Sequence, residues 1–67
     1  MNGRPEIGTL MRDTARGKFG EFRAHERGEV FLRPVGGGRE WSVSPSFVRQ
    51  ATYAETKRLR ERPGEVQ

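Results

Sequence analysis

The sequence predicts a mainly-β fold: five short strands curled into a small barrel, with a short helix after the last strand. Three observations lead there. Apolar residues alternate with polar ones over short runs, the period of a strand with one buried face. Turn-forming clusters separate those runs at residues 13–18, 26–28 and 36–38, a density that suits a small barrel. The chain also has 67 residues and no cysteine. A domain of that size buries only about 60% of its unfolded surface, and without disulfides a closed β-structure is the economical way to protect a small core.

Residues 1–6 read as a flexible lead-in, residues 7–51 as the barrel, and residues 52–67 as a short helix and disordered tail. The first strand is expected over residues 7–13, with Ile7, Thr9 and Met11 on one side and Leu10 on the other. Asp13 and Thr14 can bond nearby backbone, and Gly17 can turn left-handed, so a loop follows. Phe22 and Ala24 alternate with Glu21, Arg23 and His25 in the second strand. Gly20 marks a bulge or a close backbone approach. After the turn at Glu26, Arg27 and Gly28 comes the central hairpin, residues 29–43. Val30 and Leu32 share one of its faces, Phe31 and Arg33 the other, and Trp41 and Val43 share a side of the returning strand. Pro34 has no N–H for a ladder and should end the pairing. At least one of Gly36, Gly37 and Gly38 should take positive φ to reverse the chain.

Ser44 and Pro45 then suit the cap and first position of a single helical turn, and residues 48–51 form the last strand. Thr52 and Glu55 have the spacing of a capping box. The helix they open can run to about Arg62, where Pro63 and Gly64 stop it, but its apolar content is only Tyr53, Ala54 and Leu59. A helix so short is not stable alone in water, so fraying is expected beyond Leu59. The expected core is Met11, Phe22, Val30, Leu32, Trp41, Val43 and Val48.

Thirteen basic and nine acidic residues give a net charge of +4, and eleven of the thirteen are Arg. A basic chain invites nucleic acid through phosphate neutralisation. GC-rich coding gives the same Arg bias, and residues 6–51 carry only +2, so charge alone names no partner. The lead-in lacks the apolar stretch of a signal peptide, and no run approaches a membrane span. These features read as a soluble cytoplasmic protein with no membrane partner.

No constellation for catalysis stands out, so no enzyme activity, cofactor or metal is expected. His25 is the only histidine and reads as a solvated strand-end residue rather than a base. The carboxylates are scattered among arginines, as surface charges in weak pairs are. Gly36-Gly37-Gly38-Arg39 lacks the Lys-Ser/Thr and the helix of a phosphate loop. Lys57, Arg58, Arg60 and Arg62, diluted by Glu55 and Glu61, read as a solvated helix face.

Gly8 before the first strand, Asp13 at its end, Gly17-Lys18-Phe19-Gly20-Glu21-Phe22, and the short turn before the last strand together resemble an SH3-like small barrel of the KOW/Tudor type. The likeness covers about residues 6–52. It departs from the usual KOW pattern at Phe22, where a β-branched residue is commoner, and in having few lysines. The resemblance implies a glycine-enabled tight turn flanked by basic residues that can meet RNA. The block from Leu32 to Trp41 also resembles small uncharacterised proteins of actinomycetes, which bring no assigned function.

The expectation is therefore a non-enzymatic small binding module, for nucleic acid or a ribonucleoprotein, with a protein-interaction adaptor as the alternative. Lys18, Arg23, Phe31 and Arg33 are the candidate contacts. An aromatic ring beside cations can stack on bases or anchor a protein partner with an arginine rim. The sequence leaves the oligomeric state open.

Overall fold

The computed structural model describes residues 5–60. Five antiparallel strands form one sheet, followed by a short helix: β1 (Leu10–Asp13), β2 (Lys18–Glu26), β3 (Glu29–Pro34), β4 (Trp41–Val43), a 3₁₀ turn (Pro45–Phe47), β5 (Val48–Gln50) and α1 (Tyr53–Arg60). The strand order is β4-β3-β2-β1-β5. Closure into a barrel was expected. Instead, among the described residues, the ladder ends at β4 and β5 with no pairing between them. Each of these edge strands has three residues, so each offers few free donors and acceptors for a further ladder.

One face of the sheet carries the core, and it is the expected one. Met11, Phe22, Val30, Leu32 and Val43 are buried together, with Trp41 and Val48 packed against them. The register explains the grouping: Leu32 lies opposite both Phe22 and Trp41, and Val30 opposite Val43. Cross-strand neighbours on one face are the unit of sheet stability, and each fully buried apolar side chain contributes about 1.5–3 kcal/mol.

The first strand starts later than expected. The Thr9 N–H donates to Glu6 O at 3.0 Å and Gly8 has φ +96°, so this segment turns before pairing, and Ile7 is 68% exposed. Leu10 is buried although it lies outside the core cluster. The lead-in and the tail were expected to be flexible and disordered; residues 1–4 and 61–67, including Arg62 and the Pro63-Gly64 stop, lie outside the described residues.

The loops follow their turn chemistry. Gly36, Gly37 and Gly38 have φ of +91°, +103° and +126°, a region an L side chain avoids, and the Gly37 N–H donates to Pro34 O at 2.9 Å. The Ser44 hydroxyl oxygen accepts the Ser46 N–H at 3.2 Å to cap the 3₁₀ turn. Of the two readings of Gly20, a bulge or a close backbone approach, the bulge falls elsewhere, between Phe22 and Ala24, with Arg23 as the extra residue. Gly20 is the close approach. A Cβ there would sit 2.7 Å from Trp41 Cη2 and 3.0 Å from both Arg33 O and Leu32 Cβ. Since overpacking costs about 1–3 kcal/mol, Gly20→Ala should lower the melting temperature by roughly 10 °C in a domain this small. An unchanged melt, followed by circular dichroism, would mean that Trp41 does not lie over Gly20.

At the end of β1, Asp13 is fully buried and fully bonded. Its Oδ1 accepts the backbone N–H groups of Ala15 and Arg16, both at 2.9 Å. Its Oδ2 accepts Arg16 Nη1 at 2.9 Å and the Trp41 indole N–H at 2.8 Å. A sequence reading sees only the local half of this: an Asp that closes its own turn. The bond across to β4 makes one carboxylate tie the β1–β2 loop to the hairpin. Thr14 extends the tie, as its N–H and hydroxyl both donate to Phe47 O, at 2.8 and 3.0 Å.

Candidate functional site

On the sheet face opposite the core, half-buried aromatic rings lie beside cationic side chains. The ladders set Leu10 opposite Glu21 and Glu21 opposite Arg33, Arg12 opposite both Phe19 and Arg49, and Phe31 opposite both Ala24 and Ser42. Directly paired residues in an antiparallel ladder share a face. One face therefore carries Arg49 on β5, Arg12 on β1, Phe19 on β2, and Phe31 and Arg33 on β3. Phe31 is half-buried, and its ladder neighbours Ala24 and Ser42 are small.

The four residues singled out by sequence are not all brought together. Phe31 and Arg33 share this face, as their parity requires. Arg23 reaches its rim through the bulge, where its Nε lies 3.4 Å from Glu40 Oε2, an exposed pair of little energetic weight. Lys18 lies elsewhere, with its Nζ 4.0 Å from the centre of the Trp41 ring. Its ladder partner is the buried Asp13, so it borders the core face and its charge already has an aromatic partner.

Sequence reasoning missed Arg12, Phe19, Arg49 and Arg58. The Arg12 guanidinium lies 4.9 Å from the centre of the Phe19 ring. α1 is fastened beside them. Arg49 donates to Glu55 through Nη1 and Nη2, both at 3.0 Å, and Arg49 Nη1 also donates to Gln50 O at 3.1 Å. Glu55 Oε1 accepts the Thr52 N–H at 2.9 Å while the Glu55 N–H donates to Thr52 Oγ1 at 3.0 Å, completing the expected capping box. The Arg49 hydrogen bonds, followed by the Thr52 N–H, hold the Glu55 carboxyl down at about 2. The same pair holds the Arg49 guanidinium above its ordinary value.

The first turn of α1 is thus tethered to β5, and a hollow of about 590 Å³ remains between helix and sheet, lined by Arg12, Phe19, Arg49, Glu55, Arg58 and Leu59. Glu55 answers Arg49, whereas Arg12, Arg33 and Arg58 have no carboxylate within ion-pair distance among the described residues. The only sequence signal for this hollow was the basic cluster on the helix, which reads in preference as a solvated face. His25 is exposed at the end of β2. Among the described residues no group of three His, Cys, Asp or Glu side chains could hold a metal ion, and no helix is long and apolar enough to cross a membrane.

No protein-family model, curated protein or solved structure matches the chain. What is shown is a small five-stranded antiparallel β-sheet protein with a C-terminal helix.

Proposed function

We propose that this chain is a non-enzymatic binding module on an SH3-like small barrel of the KOW/Tudor type, and that it binds single-stranded nucleic acid, alone or within a ribonucleoprotein. Supporting the fold reading, β1 pairs with both β2 and β5, and a 3₁₀ turn delivers β5. One observation carries the functional reading: the register sets Phe19 and Phe31 on one face with Arg12 and Arg33, which have no carboxylate partner among the described residues. Rings that accept base stacking beside guanidinium groups that meet phosphates are what sequence-tolerant single-strand binding needs. Glu40 pairs with Arg23 and Glu55 with Arg49, so neither carboxylate neutralises Arg12 or Arg33.

The test is a fluorescence-anisotropy titration of labelled single-stranded RNA and DNA at about 50 and about 200 mM salt. Affinity should fall with salt, with a logarithmic slope of about −0.7 per phosphate contacted. Phe31→Ala should weaken binding about tenfold, the size of one lost stacking contact, and Arg33→Ala should make the slope shallower. Absence of binding at about 50 mM, where phosphate contacts are favoured, would rule this function out. A protein adaptor would then be the remaining reading, with Phe31 as anchor and arginines as rim.

A further inference from the structure

We infer that the hollow between α1 and the sheet is a subsite for one nucleotide unit, a base carrying a phosphate. The inference rests on the nucleic-acid reading for its ligand chemistry; the hollow shares Arg12 and Phe19 with that binding face, but neither Phe31 nor Arg33 lines it.

The size and lining fit such a unit. At about 590 Å³ the hollow lies within the roughly 300–1,000 Å³ of small-molecule sites. Its walls divide by chemistry. Phe19 and Leu59 supply apolar surface from the sheet and from the helix, and Arg12 and Arg58 supply guanidinium groups with no carboxylate partner among the described residues. A base can be held between the Phe19 wall and Leu59. The Arg12 guanidinium already lies over the Phe19 ring, and a guanidinium plane is itself a stacking surface for bases. Arg58 sits on the helix wall, where it meets a phosphate as the base enters. Arg49 plays a different part: committed to Glu55 by two bonds, it positions the helix wall rather than binding the anion. The helix is then more than a terminal appendage, because without it the sheet face has no second wall.

Two sources supply this chemistry, a free nucleotide or a nucleotide within a single strand, and the experiment separates them. The full 67-residue chain is titrated with adenosine and uridine monophosphates, and separately with a labelled eight-nucleotide single-stranded RNA. The variants are Arg58→Ala, Phe19→Leu, which keeps an apolar side chain but removes the ring, and Phe31→Ala. Thermal melts confirm that each variant is folded. Arg58 is exposed and pairs with no carboxylate among the described residues, so Arg58→Ala keeps the test valid if Phe19→Leu unfolds.

The expected result is strand binding weakened about tenfold by Phe19→Leu. Arg58→Ala should make the salt slope shallower by about 0.7, the loss of one phosphate contact. Monophosphates that bind while the strand does not, with the same sensitivity to Arg58→Ala, would keep the subsite as a free-nucleotide site and remove the single-strand reading. Strand binding that drops with Phe31→Ala yet is unchanged in both hollow variants would overturn the subsite and leave the single-strand reading standing. Failure of strand and monophosphates alike would overturn both.

Discussion

Leu32→Ala should remove about half of this protein's stability. Leu32 is 0% exposed, lies opposite Phe22 on one side and Trp41 on the other, and its Cβ is one of the atoms closing the space over Gly20. Truncating a buried leucine costs about 2–5 kcal/mol, the transfer free energy plus the cavity left behind. Native stability of about 0.05–0.15 kcal/mol per residue gives a chain of 67 residues roughly 3–10 kcal/mol in all. The midpoint of thermal unfolding, read by circular dichroism, should drop by more than about 10 °C. A melt within a degree or two of the parent would mean that β3 is paired one residue out of register, which would turn Phe31 inward and Leu32 outward.

Asp13→Ala should be nearly as damaging, by a different mechanism. The substitution removes four hydrogen bonds and leaves the Trp41 indole N–H without its acceptor. Hydrogen bonds to a charged group are worth about 1.5–3 kcal/mol each and are not additive, so a total of about 3 kcal/mol is expected. Asp13 also ties stability to pH. Burial pushes its carboxyl up, but the Arg16 N–H, the Trp41 indole and the Arg16 guanidinium outweigh burial and hold it below its ordinary value. A carboxyl depressed on folding binds fewer protons in the native state than in the unfolded one. Its stabilisation is therefore complete above the unfolded value of about 3.9 and disappears as pH falls through the lower native value. Denaturant midpoints should fall from pH 5 towards pH 2. Asp13→Asn, already less stable at neutral pH, should lose less over that range. Glu55, held at about 2, titrates in the same direction, so Glu55→Gln is the control. If Asp13→Asn retains the whole acid dependence, the Asp13 network does not contribute to it.

Periodicity was enough to read the core. Val30, Leu32, Trp41 and Val43 share parity along two strands joined by a glycine turn, and one buried face allows only one register. Local chemistry was equally readable in the capping box of Thr52 and Glu55 and in the 3₁₀ turn after Ser44. Contacts between distant segments were not. Asp13 looks like an ordinary turn residue until β4 brings the Trp41 indole to it from 28 positions away. Arg12, Phe19 and Arg49 look unrelated until β1 is seen to pair with both β2 and β5, and alternation along one strand carries no information about which strands become neighbours. At Gly20 the sequence left a bulge and a close backbone approach open; the structure shows the close approach, under Trp41, and puts the bulge at Arg23, which carries no local signal. α1 was read as a solvated, fraying helix because Leu59 is its only large aliphatic residue. Its attachment comes instead from the Arg49–Glu55 pair, which spacing along the chain does not single out.

The most direct test of the binding face is a two-dimensional ¹H–¹⁵N NMR titration of the protein with a short single-stranded RNA at low salt. Backbone amide shifts should concentrate on Arg12, Phe19, Phe31, Arg33 and Arg49, with α1 residues near Arg58 joining them. The Trp41 indole N–H, bonded to the buried Asp13 at 2.8 Å, should stay in place. Shifts centred on Trp41, Lys18 and the core side of the sheet, or no shifts at saturating RNA, would contradict the assignment of this face to nucleic acid.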